Sequence, residues 1–339
     1  MDSFTLPFNP RRPRLPRLAL RLAAIAFVAW LAGVAYTMWL NPEMRFLKAA
    51  ARTKQHWAER MTREHGAKVV VMGGSSCTFS IDGQRLLERH QMPAVNMGLF
   101  ADMGSKVITE WALSEVKPGD TLVVALEPKS FSEDTQATEH GIQFCAAMQS
   151  PQWVRGVLQP HTPFGGGALL ALRPGGYHAC TLVGKILKRL PLFRYAVGEI
   201  QPSGWVDTPI HRAPDATPMD GGTIAPSCGD LLRSLADWSR TNRVRLCYSL
   251  PIAWSSPEHA PEFQRYNAQF LLEVSRFLPV LKDDRLGAHT NADWFADDAW
   301  HLTAPGAAVR TDELAAHLRA WRMWEPEELR AQATNASPK

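Results

Sequence analysis

The 339-residue sequence has little of what marks most specialised chains. It holds five cysteines, an odd number, with no CxxC pair and no Cys/His cluster, so it is neither a disulfide scaffold nor a zinc module. No G-x-x-x-x-G-K-[ST] run is present, which excludes a Walker-type phosphate loop, and no internal repeat is visible. A basic face is also missing. Arg11, Arg12, Arg14, Arg17 and Arg21 hold five of the 37 basic residues and only Asp2 opposes them, while beyond residue 21 the sequence has 32 charges of each sign. The net charge of +4 belongs to a short N-terminal arm and not to a surface that could track phosphates, which sets nucleic acid aside. With 45% hydrophobic and 21% charged residues the rest has ordinary globular composition. Cys77 and Cys247 sit in or beside strand-like runs and read as buried thiols. Cys145, Cys180 and Cys228 fall in loop-rich sequence, where one bridge among them is open and spacing does not choose the pair.

What is present begins with an uncharged apolar stretch, residues 22–40, extended by Leu18 to Leu20 behind a single Arg21. It is long enough to cross a hydrocarbon core of ~30 Å as a helix. The arginines before it place the arm in the cytoplasm, and Tyr36, Trp39 and Asn41-Pro42 mark an exit at the far interface. The expectation is a single-pass anchor in the inner (cytoplasmic) membrane with the rest of the chain on the periplasmic side. A cleaved signal peptide is the competing reading, since Ala32 and Ala35 form an A-x-A-like site. The expected organisation is a basic arm (1–17), a transmembrane helix (18–40), a linker or stalk helix (41–66), an α/β domain (67–325) and a tail (326–339).

Residues 43–65 read as a helix without Pro or Gly, either a stalk or the domain's first helix. Strands are expected at 68–72, 94–96, 121–126, 245–250 and 279–281, with helices at 81–90, 106–116, 230–241, 261–277 and 305–321 between and after them. That alternation predicts a parallel α/β sheet. Between 151 and 229 stand ten of the 25 prolines and twelve of the 23 glycines, which argues for an irregular insertion over the site, with one helix near 181–190.

Two segments could carry chemistry. Residues 69–82, VVVMGGSSCTFSID, put Ser75 and Ser76 just past the carboxyl end of a buried strand, where sites form in open α/β sheets. Alone, strand-Gly-Gly-Ser also describes nucleotide binders and plain loops. Near the C-terminus, Asp298 and His301 stand three apart before the last helix, and a histidine that takes a serine proton needs a carboxylate on its other nitrogen. Asp297 and Asp298 could equally be helix-capping charges. Together, and in this order, the two segments favour a catalytic set. Cys77 reads as a core thiol, the aromatics Trp294, Phe295 and Trp300 as core residues with a sugar-stacking alternative, and His178, His211 and His289 as surface or loop histidines.

On these motifs the sequence resembles the SGNH/GDSL hydrolase superfamily over residues 67–322. Gly73-Gly74-Ser75 stands where that family has Gly-Asp-Ser, and Asp298 with His301 where it has Asp-x-x-His. GGSSCTFSID, NMGLFADMG and DDAWHLT are similar to membrane-anchored SGNH proteins that accompany membrane-bound O-acyltransferases in polysaccharide O-acetylation, the alginate acetylation proteins among them. The resemblance implies a three-layer, flavodoxin-like parallel sheet with Ser75 as nucleophile, His301 as base and Asp298 as orienting carboxylate. Ser76 is the alternative nucleophile. An oxyanion-hole N–H is implied at Ala101, with Gly98 nearby. The family's Gly-x-Asn-Asp block is absent, since Leu126-Glu127-Pro128-Lys129-Ser130 follows the third strand and the asparagine donor is lost; Lys129 and Ser130 are the substitutes in reach.

The implied function is an acyl esterase or O-acetyltransferase acting on a cell-surface or exported polysaccharide, with a membrane-bound O-acyltransferase as a partner and neither metal nor cofactor. A non-catalytic scaffold that binds glycan or such a partner is the rival from a different class, and a lipid esterase is the third reading.

Overall fold

The computed structural model describes residues 15–132, 138–155, 169, 171–174, 176–210, 214, 216–219, 222–281 and 283–321. The tail at 326–339, His211 and the arm up to residue 14 lie outside them.

Helix α1 (Leu15–Ala35) runs on through one π-helical turn, Tyr36–Leu40. Residues Arg17–Leu40 are 24 long with a mean hydropathy of 2.1 and are buried only at Thr37, and this is the one helix among the described residues with the length and composition to cross a membrane. At 1.5 Å per residue it spans roughly 36 Å. Asn41 then starts α2 (Pro42–His65): its side chain accepts the Glu43 N–H at 3.0 Å, and Pro42 occupies the first turn, where a missing N–H costs nothing. The 41–66 segment is not a free stalk. Met44, Phe46, Leu47, Ala51, Ala58 and Met61 are buried along one face of α2, against the core of the α/β domain.

The core is a five-stranded parallel sheet, β1 (Val69–Gly73), β2 (Ala94–Asn96), β3 (Thr121–Ala125), β4 (Arg245–Ser249) and a strand at Val280–Leu281, in the order β2-β1-β3-β4-Val280 strand. The chain steps outward from β1 to β2 and then returns past β1 to β3, so the strand order reverses between β1 and β3. In doubly wound sheets ligands bind at that reversal, outside the strands' carboxyl ends. The Val-rich strands bury both faces: Val70, Met72, Leu122, Val124 and Tyr248 enter one cluster, while Val69, Val71, Val123, Ala125 and Cys247 enter the other. Helices cover both. On the first face lie α2, α5 (Ser105–Leu113) and, in part, α6 (Glu139–Ala147), α8 (Pro226–Thr241) and α9 (Ala260–Val274), and on the second α4 (Gly83–His90) and the last helix, α10 (Ala304–Ala320). The molecule is thus an α/β domain with a parallel central sheet and one N-terminal apolar helix.

No described residue between 151 and 225 belongs to that sheet. This stretch contains α7 (Gly176–Leu187) and an isolated bridge, Ile200 to Val206, whose neighbour Trp205 donates its indole N–H to Phe79 O at 3.0 Å. None of the five cysteines is in a disulfide. The bridge left open among Cys145, Cys180 and Cys228 is absent, because Cys145 and Cys228 are buried on different helices while Cys180 is exposed on α7.

Candidate active site

The site is built at the reversal between β1 and β3. Immediately after β1, Gly74 precedes a six-residue helix, α3 (Ser75–Ser80), which the sequence does not announce. A Cβ on Gly74 would collide with the Glu127 carboxylate, so glycine is needed for close approach and not for a turn. Glu127 follows β3, is buried, and its Oε1 accepts the Ser76 N–H at 2.9 Å. The residue in place of the expected asparagine donor is therefore an acceptor that caps α3.

Ser75 is half-buried and lines a cavity of about 550 Å³ together with Ala101, Glu127, Lys129, Asp298 and Trp300. A neighbouring cavity of about 380 Å³ is shared by Ser75, Ala101, Asp298, His301 and the segment Phe193 to Tyr195. Ser75 and His301 thus face the same space from opposite ends of the chain. No hydrogen bond joins them among the described residues. Ser76 is buried, its Oγ lacks a hydrogen-bond partner among the described residues, and it lines neither cavity.

His301 stands at the foot of a small hairpin closed by the Phe295–Leu302 bridge and by Ala296 N–H donating to His301 O at 2.8 Å. That hairpin puts Asp297, not Asp298, on the imidazole: His301 Nδ1 lies 2.9 Å from Asp297 Oδ1. Asp298 instead serves its own turn, with Oδ1 accepting the Trp300 N–H at 3.0 Å and its backbone oxygen accepting the His301 N–H at 3.3 Å. The sequence-based assignment of Asp298 as the orienting carboxylate is corrected accordingly, and its carboxylate faces the cavity. The Asp297 side chain is 2% exposed and also accepts from Tyr195 Oη at 3.0 Å and Arg194 Nη1 at 2.7 Å. Burial pushes its carboxyl up, and the bonds from His301 and Tyr195 with the Arg194 charge outweigh that, so it rests below its ordinary value. With Nδ1 facing a carboxylate, the ring's proton stays there and Nε2 is left to accept. Phe79 of α3 packs against the imidazole, ring centroids 4.3 Å apart, and fixes its plane.

The two expected oxyanion donors differ. Ala101 lines both cavities, and its N–H is engaged with no described residue. Gly98 does not join it, because its N–H is consumed by Asn96 Oδ1 at 2.9 Å. Asn96 is a tie: its Nδ2 donates to Cys77 O at 2.9 Å and Ile81 O at 2.7 Å, and Lys54 Nζ reaches its Oδ1 at 3.1 Å. Of the substitutes for the missing asparagine, Lys129 and Ser130 both line the larger cavity, and Ser130 Oγ lies 3.5 Å from Glu127 Oε2.

Cys77 is buried and its thiol is pushed up to about 12 by that burial, which makes it inert. Phe295 is buried and Trp294 partly so, whereas Trp300 opens on the larger cavity. His289 is a buried residue of a short strand, Ala288–His289, lowered to about 4 by burial, and His178 meets Tyr36 Oη at 3.1 Å, so neither is a free surface histidine. At the rim, His140 lies between two carboxylates, with Nε2 3.1 Å from Glu43 Oε2 and Nδ1 3.4 Å from Asp102 Oδ2. Glu43 and Asp102 raise it to about 9 against the effect of burial, so the imidazolium is itself the cation of this group.

Arg194, Tyr195 and Asp297 are the site residues that sequence reasoning did not assign. Asp297 had a signal, as the other half of an Asp-Asp pair before the histidine. Arg194 and Tyr195 come from the Pro/Gly-rich stretch and carry none. No family model, curated protein or solved structure matches the chain.

Proposed function

We propose that the chain is a membrane-anchored serine acyl esterase or O-acetyltransferase of SGNH type, working on an exported or cell-surface polysaccharide on the periplasmic side of the inner membrane. The observation that carries this reading is the convergence of Ser75, after β1, and His301, before the last helix, on one cavity with Asp297 2.9 Å behind the imidazole. Ser75 Oγ attacks the acyl carbonyl as His301 Nε2 takes its proton, with Asp297 stabilising the imidazolium. The oxyanion that forms turns toward the Ala101 N–H. Collapse expels the sugar oxygen, which takes the proton back from His301, and the acyl-serine passes its acyl group to water or to a second sugar hydroxyl. Trp300 at the cavity wall offers a face on which a sugar ring can stack.

A second reading, a scaffold that binds glycan or a membrane O-acyltransferase without turning over, is favoured by one feature. Glu127 occupies the place of the asparagine donor and takes up the Ser76 N–H. Loss of one oxyanion donor costs roughly 10²–10³ in kcat, which lowers a rate without abolishing chemistry. Hydrolysis of p-nitrophenyl acetate by the detergent-solubilised full chain separates the two. We expect Ser75→Ala and His301→Ala each to lower kcat/KM by about 10³-fold or more, and the double variant to be no worse than either, because nucleophile and base serve one step. Ser76→Ala is expected to be mild. Hydrolysis indifferent to Ser75 would sink the catalytic reading and leave the scaffold.

A further inference from the structure

Helix α7 (Gly176–Leu187) is apolar on a face that no described residue covers. Val183, Ile186 and Leu187 follow at i, i+3 and i+4, the spacing of one helical stripe, and are 55%, 56% and 78% exposed, and Leu190, in the turn past the helix, is 51% exposed. Cys180, one turn earlier, is exposed as well. Leu192, just past the stripe, is 41% exposed. A patch of this kind on a soluble surface marks a docking site.

What it docks on is indicated by its neighbours. The same segment is seated along α1 on successive turns: Trp30 donates its indole N–H to Leu169 O at 2.9 Å, a Cβ on Gly33 would touch Arg173 Cβ at 2.9 Å, and Tyr36 Oη meets His178 Nε2 at 3.1 Å. Residues 30, 33 and 36 share one face of α1 and its π-helical extension, and Trp30 lies roughly 15 Å along the axis from Leu40. The segment before α7 therefore stands beside the last half of the apolar helix, and the exposed stripe continues from that contact. Its polar residues have one sign. Arg173, Lys185, Lys188, Arg189 and Arg194 are opposed between residues 169 and 200 only by Glu199. An apolar stripe flanked by cations is the composition of a helix lying in an anionic headgroup layer.

We propose that α7 and the Leu190–Leu192 turn lie in the headgroup region of the bilayer that α1 crosses, against anionic phospholipid. This rests on the reading of α1 as a membrane anchor. The consequence for the site is direct, because the chain passes from Leu192 to Phe193 and then to Arg194 and Tyr195, both of which bond Asp297. The bilayer contact thereby seats the segment that holds the catalytic carboxylate, and the cavity of Ser75 and His301 opens beside the membrane surface.

The test uses the full chain in vesicles of 3:1 phosphatidylcholine to phosphatidylglycerol, with Cys180→Ser removing the one exposed thiol. A nitroxide is placed singly at Leu22→Cys, Ile186→Cys, Leu187→Cys and Leu272→Cys, and collision with oxygen is compared with collision with a water-soluble nickel chelate. Labels at 186 and 187 should show an oxygen-to-nickel ratio several-fold above that at 272, whose leucine is 68% exposed on a different helix, α9, and below that at 22. A membrane-deep label at 22 with water-exposed labels at 186 and 187 overturns the proposal and leaves the anchor standing. A water-exposed label at 22 overturns both. Labels at 186 and 187 shielded from both reagents, as contact with a second copy would give, also overturn it. In phosphatidylcholine alone the ratio at 187 should fall, and an unchanged ratio removes the anionic headgroup from the proposal.

Discussion

Asp297→Asn and Asp298→Asn form the most informative pair of substitutions, since the two carboxylates are adjacent and only one faces the imidazole. An asparagine in place of Asp297 keeps the side chain's size while its amide can offer an N–H where His301 Nδ1 needs an acceptor, which favours the wrong tautomer. That fault costs about 10⁴ in kcat in Ser-His-Asp hydrolases, or about 5 kcal/mol in the barrier. We expect a loss of about 10³–10⁴ here, given a 2.9 Å contact and 2% exposure of the carboxylate. In Asp298→Asn the new side chain keeps the oxygen that accepts the Trp300 N–H, so kcat should change less than about threefold. Folding has to be separated from chemistry, because the amide introduced by Asp297→Asn keeps an oxygen toward Arg194 and Tyr195, which share Asp297 Oδ2, but loses the negative charge that strengthens both bonds. Arg194 is 56% exposed and contributes under about 1 kcal/mol, while the more buried Tyr195 hydroxyl adds about 1–3 kcal/mol. Denaturant unfolding should record that modest loss near neutral pH. The Asp297 carboxyl is held below its ordinary 3.8, so its stabilisation is present above that value and fades as pH falls through the lower folded one, and the stability gap between wild type and the Asp297→Asn variant should close there. The kinetic argument fails if Asp298→Asn slows p-nitrophenyl acetate hydrolysis as much as Asp297→Asn does.

Two further expectations concern titrating groups that brace the site. His140 is raised from 6.5 to about 9, so its ion pairs stabilise the fold fully below pH 6.5 and are lost as pH rises through 9; linkage bounds this at about 3 kcal/mol, and partial exposure reduces it to about 1. His140→Gln should flatten the stability profile between those values, and parallel profiles would deny the pairing. Lys54, fully buried with its ammonium on Asn96, is lowered by burial from 10.5 to about 7, so the unfolded chain binds more protons in between and wild-type stability should rise with pH over that range. Lys54→Met should then be more stable at pH 7 by about 1–3 kcal/mol, with the difference shrinking toward pH 10, and a less stable variant at pH 7 would mean that the Asn96 tie outweighs desolvation.

What could be read from the residues divides along a physical line. Strands such as Val69–Gly73 and Thr121–Ala125 are legible because a central parallel strand buries both faces, so its run is apolar without alternation and is bounded by Gly or by the Pro118-Gly119-Asp120 turn. The helix Pro42–His65 is legible from its composition, but its burial is not: it carries many charges, and only the fold shows Lys54 and one apolar stripe turned inward. Helix α3 could not be read. Ser-Ser-Cys-Thr-Phe-Ser has poor intrinsic helix propensity, and its six residues are held by tertiary contacts, the Glu127 cap on Ser76 N–H and the Thr311 hydroxyl on Ser80 O at 3.2 Å.

The site shows the same division more sharply. Ser75 and His301 stand in local patterns, strand-Gly-Gly-Ser and a carboxylate-histidine pair before a helix, so each is visible in its own neighbourhood. The choice between Asp297 and Asp298 is not local. A spacing of three suits a helical turn, whereas the Phe295–Leu302 bridge makes this stretch a hairpin and brings the residue four positions back onto Nδ1. The partners that finish the arrangement come from farther still: Arg194 and Tyr195 reach Asp297 across 103 and 102 residues, from a stretch whose Pro and Gly content hides any periodicity. A group that orients a catalytic residue needs only a donor at the right point in space, and any backbone that delivers one will serve. Its sequence signal is therefore weakest where its geometric constraint is strongest, which is why Ser75 and His301 could be named as candidates from the chain while Asp297 and its two donors required the fold.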